Sequence, residues 1–205
     1  MYEKAQTTVR RGDVVIPEYL DKNFMLYQQD GVALLSTLRP ESIPLIWTNP
    51  SLEIRYLESK DVSKVAAAEL CAATADAATR ALTPDGLFIV CVSTAIVDDV
   101  VGAINKRTHL RNVAVFDGEY DSIVVFVKGN SDFVPVWADG NSPEATLASF
   151  IEMYTSPGDF VVDPFCGTGD VMEAAVKAGR IAVMNDLDPD AVTATVNRYK
   201  ERCAK

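Results

Sequence analysis

The stretch FVVDPFCGTG, Phe160 to Gly169, decides the fold of this 205-residue chain. Phe160, Val161 and Val162 read as the end of a strand covered on both faces, Asp163 and Pro164 break it, and Gly167 and Gly169 let the backbone turn sharply. Beyond the turn, Val171, Ala174, Ala175 and Ala178 repeat at helical spacing. A buried strand, a glycine turn and a helix in that order suit a nucleoside-bearing ligand, because the glycines admit close approach and the helix start faces it. Met172 stands where a dinucleotide fingerprint places its third glycine, so a pyrophosphate cofactor fits less well. A plain strand-to-helix turn is the alternative.

Outward from this stretch, apolar runs predict seven strands: Phe24 to Gln28, Ile43 to Trp47, Leu87 to Val92, Val113 to Phe116, Ile123 to Val127, Phe160 to Val162 and Ile181 to Met184. Helical patterns lie between them near Gly31 to Leu38, Val62 to Leu82, Ile96 to Asn105, Pro143 to Tyr154, Asp170 to Ala178 and Asp190 to Cys203. This alternation predicts an α/β, Rossmann-like fold: a mostly parallel sheet of seven with helices on both faces. DGEYDS, Asp117 to Ser122, is too short for a crossover, so the strands it joins form an antiparallel hairpin and supply the one antiparallel strand. Thr83 to Gly86 reads as the turn between the alanine-rich helix and its strand. Gly129 to Ser142 reads as a long connection and the hinge between two halves, residues 1–128 and 129–205, of a single domain.

Composition narrows the function. Acidic residues number 29 against 19 basic ones, for a net charge of −10, which opposes unaided adhesion to a polyanion. Local basic groups are Arg10 with Arg11, and the run Lys106, Arg107, His109 and Arg111, the second a candidate for touching phosphate. No apolar run reaches the ~20 residues that span a bilayer and the start of the chain lacks an apolar leader, so a cytoplasmic protein is expected. Cys71, Cys91, Cys166 and Cys203 show no paired C-x-x-C spacing, and His109 is the sole histidine, so no metal site or disulfide framework is expected.

Two carboxylates complete the reading. Asp186 follows the strand at Ile181 to Met184 about twenty residues past the glycine turn, where a carboxylate can accept hydrogen bonds from both hydroxyls of a ribose. Capping the next helix is its alternative role. Asp30, in YQQDGVALL, either accepts from an adenine amino group or caps the helix behind it.

With these residues in place, the chain resembles the DNA adenine-N6 and cytosine-N4 methyltransferases in which the catalytic half precedes the cofactor half. DPFCGTG resembles that family's S-adenosylmethionine turn and MNDLDP, Met184 to Pro189, its ribose-binding strand end. QDGVALLSTL resembles the segment before the family's catalytic motif, LTPDGLFIV the strand after it, and SPEATLASFIEMYTSPGD the helix before the turn. The resemblance implies S-adenosylmethionine as cofactor, held by Asp30, Asp163, Pro164, Phe165, Cys166, Gly167, Thr168, Gly169, Asp186 and Leu187. It also implies DNA as the partner, engaged as a single strand or through another protein, and leaves a homo- or hetero-oligomer open.

The family's catalytic motif is (Asp/Asn/Ser)-Pro-Pro-aromatic. The amine it methylates is a poor nucleophile because its lone pair is conjugated into the base. A side-chain oxygen and a proline carbonyl accept from the two amine hydrogens, and the aromatic ring stacks on a flipped-out base. Here the equivalent positions are Asn49, Pro50, Ser51 and Leu52, so the polarising pair is present while the second proline and the aromatic are replaced. Tyr56 is near enough in sequence to supply a ring. The resemblance thus implies either a DNA amino-methyltransferase or a non-catalytic methyltransferase-fold subunit that serves as a scaffold or cofactor-binding partner in a heteromeric complex.

Overall fold

Every parallel neighbour in a sheet demands a crossover, and the apolar faces of the crossover helices decide which side they cover. The computed structural model describes residues 16–50, 64–117, 121–130, 132–135 and 143–204. Its strands are β1 Tyr19–Asp21, β2 Phe24–Tyr27, β3 Ile43–Thr48, β4 Leu82–Ser93, β5 Arg111–Asp117, β6 Asp121–Val127, β7 Phe160–Asp163 and β8 Ile181–Asn185. Its helices are α1 Gly31–Thr37, α2 Lys64–Ala81, α3 Val97–Arg107, α4 Pro143–Tyr154, α5 Asp170–Lys177 and α6 Pro189–Arg202, with a 3-10 turn at Thr94–Ile96 before α3.

All eight strands form one sheet in the order β1-β2-β8-β7-β3-β4-β6-β5. Strands β2, β8, β7, β3 and β4 are mutually parallel. The predicted hairpin is present, with β6 antiparallel to both β4 and β5. The expected count of seven is corrected to eight: β1 is an additional edge strand, antiparallel to β2. Its three residues, YLD, are too few and too exposed to show a period.

Helices α1, α2 and α3 cover one face, burying Leu34, Leu35, Val100, Ile104 and the small side chains of α2. Ala67, Ala68, Ala72, Ala75 and Ala78 let α2 lie close against the sheet. Helices α4, α5 and α6 cover the other face through Leu147, Phe150, Ile151, Met172, Ala175 and Tyr199. Thr83 to Gly86 does not end the ladder: Ile43 pairs with Leu82 and Leu45 with Leu87, so TPDG bulges out of β4. Ser51, Leu52 and Tyr56 lie outside the described residues, as do Arg10 and Arg11, and the proposed hinge is described only in part.

Candidate functional site

The order β2-β8-β7-β3 sets four parallel strand ends side by side, and each delivers candidate site residues to the same edge. These are Gln29 and Asp30 after β2, Asn185 and Asp186 from β8, Asp163 from β7, and Thr48, Asn49 and Pro50 from β3. From β7 the chain returns through α5 to β8 on one side, while β3 continues to β4 on the other with α2 on the opposite face. The crevice between β7 and β3 is therefore a topological switch point, where ligands bind in open α/β sheets.

The glycine turn is held from several directions. Gly169 N–H donates to Cys166 O at 2.9 Å, and Cys166 N–H to Asn185 O at 2.8 Å. Gly167 N–H donates to Asp186 Oδ2 at 2.8 Å, and Thr195 on α6 donates its hydroxyl to Gly167 O at 2.8 Å. Gly167 and Gly169 have φ of 51° and 87°, the left-handed region that suits glycine. A Cβ on Gly169 would stand 3.0 Å from Thr195 Cγ2. On the neighbouring loop, a Cβ on Gly31 would lie 2.7 Å from Pro164 O and from the Phe165 ring, so the start of α1 and the DPF corner touch backbone to backbone.

Asp186 stands where the sequence places it, at the end of β8, and is buried. Its Oδ2 accepts from Gly167 and its Oδ1 from Asp188 N–H at 3.0 Å. It is Asp188 that caps α6, accepting from Asp190 N–H. A carboxylate offers about four acceptor positions, so Asp186 keeps capacity for further donors. Leu187 beside it is 57% exposed, an apolar surface next to the buried acid. Asp30 takes the capping role: its side chain accepts from Ala33 N–H at 2.7 Å at the start of α1.

Asp163 is 3% exposed, and its Oδ1 accepts from Thr48 Oγ1 at 2.8 Å and from Phe165 N–H at 3.0 Å. Burial raises its carboxyl, the Phe165 and Thr48 donors lower it, and the charges of Asp186 and Asp170 raise it again, leaving it at about 7. Cys166 is buried and its thiol is pushed up, first by burial and then by Asp163, which keeps it from acting as a thiolate nucleophile. Pro164 and Phe165 shape the corner, and Thr168 faces solvent. Asn49 is exposed and Pro50 buried at the end of β3.

Four residues that hold this site were not singled out from sequence. Asn185, fully buried, donates to Gln29 O at 2.9 Å and to Pro164 O at 3.0 Å while accepting from Gln29 N–H at 3.2 Å, so one amide clips two loops together. A polar residue closing an apolar strand was its only signal. Thr195 shares an α6 face with Val192 and Tyr199, where a hydroxyl among apolar neighbours marks a bond to be made. Thr48 directly follows the run Ile43 to Trp47 predicted as a strand and carried no further signal. Glu173 on α5 is buried; desolvation raises it, but Lys177, Arg198 and Arg202 outweigh that and bring it down to about 2. Arg198 also pairs with Asp170, which fastens α6 to the start of α5.

The basic run lies elsewhere. Lys106, Arg107, His109 and Arg111 end α3 and begin β5, at the edge of the sheet opposite the crevice, and Arg107 pairs with Asp76 at 3.2 Å and Glu69 at 3.7 Å. Among the described residues no group of side chains is arranged to hold a metal ion, and no helix is long and apolar enough to cross a membrane. The four cysteines are free.

Residues 139–197 match the N6/N4 methyltransferase family, described as DNA methylase, a segment that contains both the glycine turn and Asp186. The fold matches TTHA0409 of Thermus thermophilus, assigned as a DNA modification methylase, with a TM-score of 0.71 and 18% identity over 87% of this chain and 95% of that one. It also matches the cytosine-N4-specific PvuII DNA methyltransferase, with a TM-score of 0.69 and 19% identity over 89% of this chain and 88% of that one. The complex of M1.HpyAVI with SAM matches with a TM-score of 0.61 and 14% identity over 85% of this chain and 98% of that one. No curated protein matches the sequence. The methyltransferase resemblance and the α/β fold drawn from the sequence are borne out.

Proposed function

We propose that this chain is an S-adenosylmethionine-dependent amino-methyltransferase acting on the exocyclic amine of a base in DNA, adenine N6 or cytosine N4. The observation that carries the reading is the adjacency, at one switch point, of the glycine turn tied to Asp186 and the β3 end bearing Asn49 and Pro50. TTHA0409 has been solved in complex with S-adenosyl-L-methionine, and its chain shares this fold at a TM-score of 0.67.

The residues present fit the cofactor. A Cβ on Gly31 would collide with Pro164 O and the Phe165 ring, and one on Gly169 would crowd Thr195, so the turn is closely packed, while Leu187 and Thr168 are exposed. Asp186 would accept from the ribose hydroxyls, Leu187 would lie against the purine, and the turn from Asp163 to Gly169 would carry the rest. Asp30 would add an acceptor only with the oxygen its cap leaves over. When bound, S-adenosylmethionine supplies an electrophilic methyl group on a sulfonium. Asn49 and the Pro50 carbonyl would accept from the two amine hydrogens, localising the nitrogen lone pair toward that methyl.

The second reading, a methyltransferase-fold subunit that scaffolds a complex without turnover, is favoured by Ser51 and Leu52 in place of the second proline and the aromatic. Mass spectrometry of DNA incubated with the protein and S-adenosylmethionine decides between them. Methylated adenine or cytosine that vanishes in Asn49→Ala supports catalysis; cofactor binding with no base methylated in duplex or single strand supports the scaffold.

A further inference from the structure

Backbone pairing between β3 and β7 consists of Leu45 with Val161 and Ile46 with Val162, so the ladder ends before either strand reaches the crevice. Beyond it, a side-chain bond takes over: Thr48 Oγ1 donates to Asp163 Oδ1 at 2.8 Å, with Thr48 fully buried. The same oxygen accepts from Phe165 N–H at 3.0 Å, at the head of the glycine turn. One carboxylate oxygen thus receives a donor from the strand that delivers Asn49 and Pro50 and another from the loop that shapes the turn.

We propose that Thr48 is a positioning residue whose hydroxyl, anchored on Asp163, sets Asn49 and Pro50 against the glycine turn and so governs the rate of methyl transfer rather than cofactor affinity. The part concerning methyl transfer rests on the methyltransferase reading above. On its other side Thr48 still pairs with Val90 of β4, so the hydroxyl supplies the link that the end of β3 lacks toward β7, and without it that end is freer to shift relative to the glycine turn. Misplacement of a reacting group by about 1 Å costs roughly a hundredfold in rate. Asp163 keeps its bond to Phe165 without Thr48, so the turn retains its own support when the hydroxyl is removed.

Thr48→Val keeps the β-branched shape and removes the donor, and Thr48→Ser keeps the donor; Thr48→Ala replaces the valine variant if that does not fold. Three quantities are read in the full chain: S-adenosylmethionine affinity by calorimetry, kcat at saturating cofactor, and hydrogen exchange of the Thr48 and Asn49 amides. Thr48→Val is expected to lower kcat by about tenfold or more and to speed exchange comparably, with the cofactor Kd within about threefold and Thr48→Ser close to the parent. Unchanged kcat and exchange in Thr48→Val would overturn the proposal, as would a loss of cofactor affinity as large as the loss of kcat. A parent protein that methylates nothing refutes the methyltransferase reading. Exchange alone then decides: faster exchange in Thr48→Val sustains the anchoring role, and unchanged exchange overturns it.

Discussion

The carboxylate of Asp186 and the backbone amide of Gly167 meet at 2.8 Å, joining the end of β8 to the middle of the glycine turn. The acid that the sequence offers to a sugar is therefore also the residue that holds the turn in shape. Its second oxygen accepts from Asp188 N–H, so the strand end, the turn and the start of α6 share one anion.

Asp186→Ala removes both functions at once. We expect cofactor affinity to fall by ~1.5 to 3 kcal/mol, the range for a lost hydrogen bond to a charged group, or about ten- to a hundredfold in Kd by calorimetry. Unchanged affinity would reduce Asp186 to a structural support of the loop.

Gly169→Ala adds a side chain at a φ of 87° and within 3.0 Å of Thr195 Cγ2. The left-handed backbone alone costs ~1 to 2 kcal/mol, so a lowered melting temperature and weaker cofactor binding are expected together. A variant as stable and as tight as the parent would contradict the packing described at this corner.

Asn185→Leu leaves the carbonyls of Gln29 and Pro164 and the N–H of Gln29 without their partner in a buried site. At ~1 to 3 kcal/mol for a buried group left unpaired, denaturant unfolding should show a loss of that order or more. A shift within experimental error would show that water replaces the amide.

Two carboxyls give stability opposite pH dependences. Asp163 is raised from its ordinary 3.8 to about 7 by burial, so the folded state holds a proton that the unfolded chain has released. Its contribution is complete below 3.8 and is lost as pH rises through about 7. Glu173 is lowered from 4.5 to about 2, so its contribution is present above 4.5 and is lost as pH falls through about 2. Denaturation curves across pH should therefore lose their decline toward pH 7 in Asp163→Asn and part of their acid decline in Glu173→Gln. Parallel profiles for parent and variants would refute both assignments.

Most of the sheet was legible because its signals are local. Val161 and Val162 lie between crossover helices and are buried on both faces, so their run is continuously apolar; β5 and β6 announce their hairpin by the shortness of DGEYDS. Strand β1 was not legible, since three residues, two of them exposed, carry no period. At the site, Gly167, Gly169 and Asp186 were readable because a turn and a strand-end acid have characteristic residue types. Asn185, Thr195 and Thr48 act through bonds to Pro164, Gly167 and Asp163, partners 21, 28 and 115 residues away, which no local pattern encodes. The Asp30 cap is local, bonding Ala33 three residues on, and was one of the two roles read from the sequence, whereas the distant placing of the Lys106 to Arg111 run depends on tertiary arrangement.

The central claim is that the turn from Asp163 to Gly169 and Asp186 together hold S-adenosylmethionine. Isothermal titration of the purified chain with S-adenosylmethionine tests it most directly. The account predicts saturable binding at one site per chain that weakens in Asp186→Ala; no binding up to millimolar cofactor, or binding indifferent to that substitution, would contradict it.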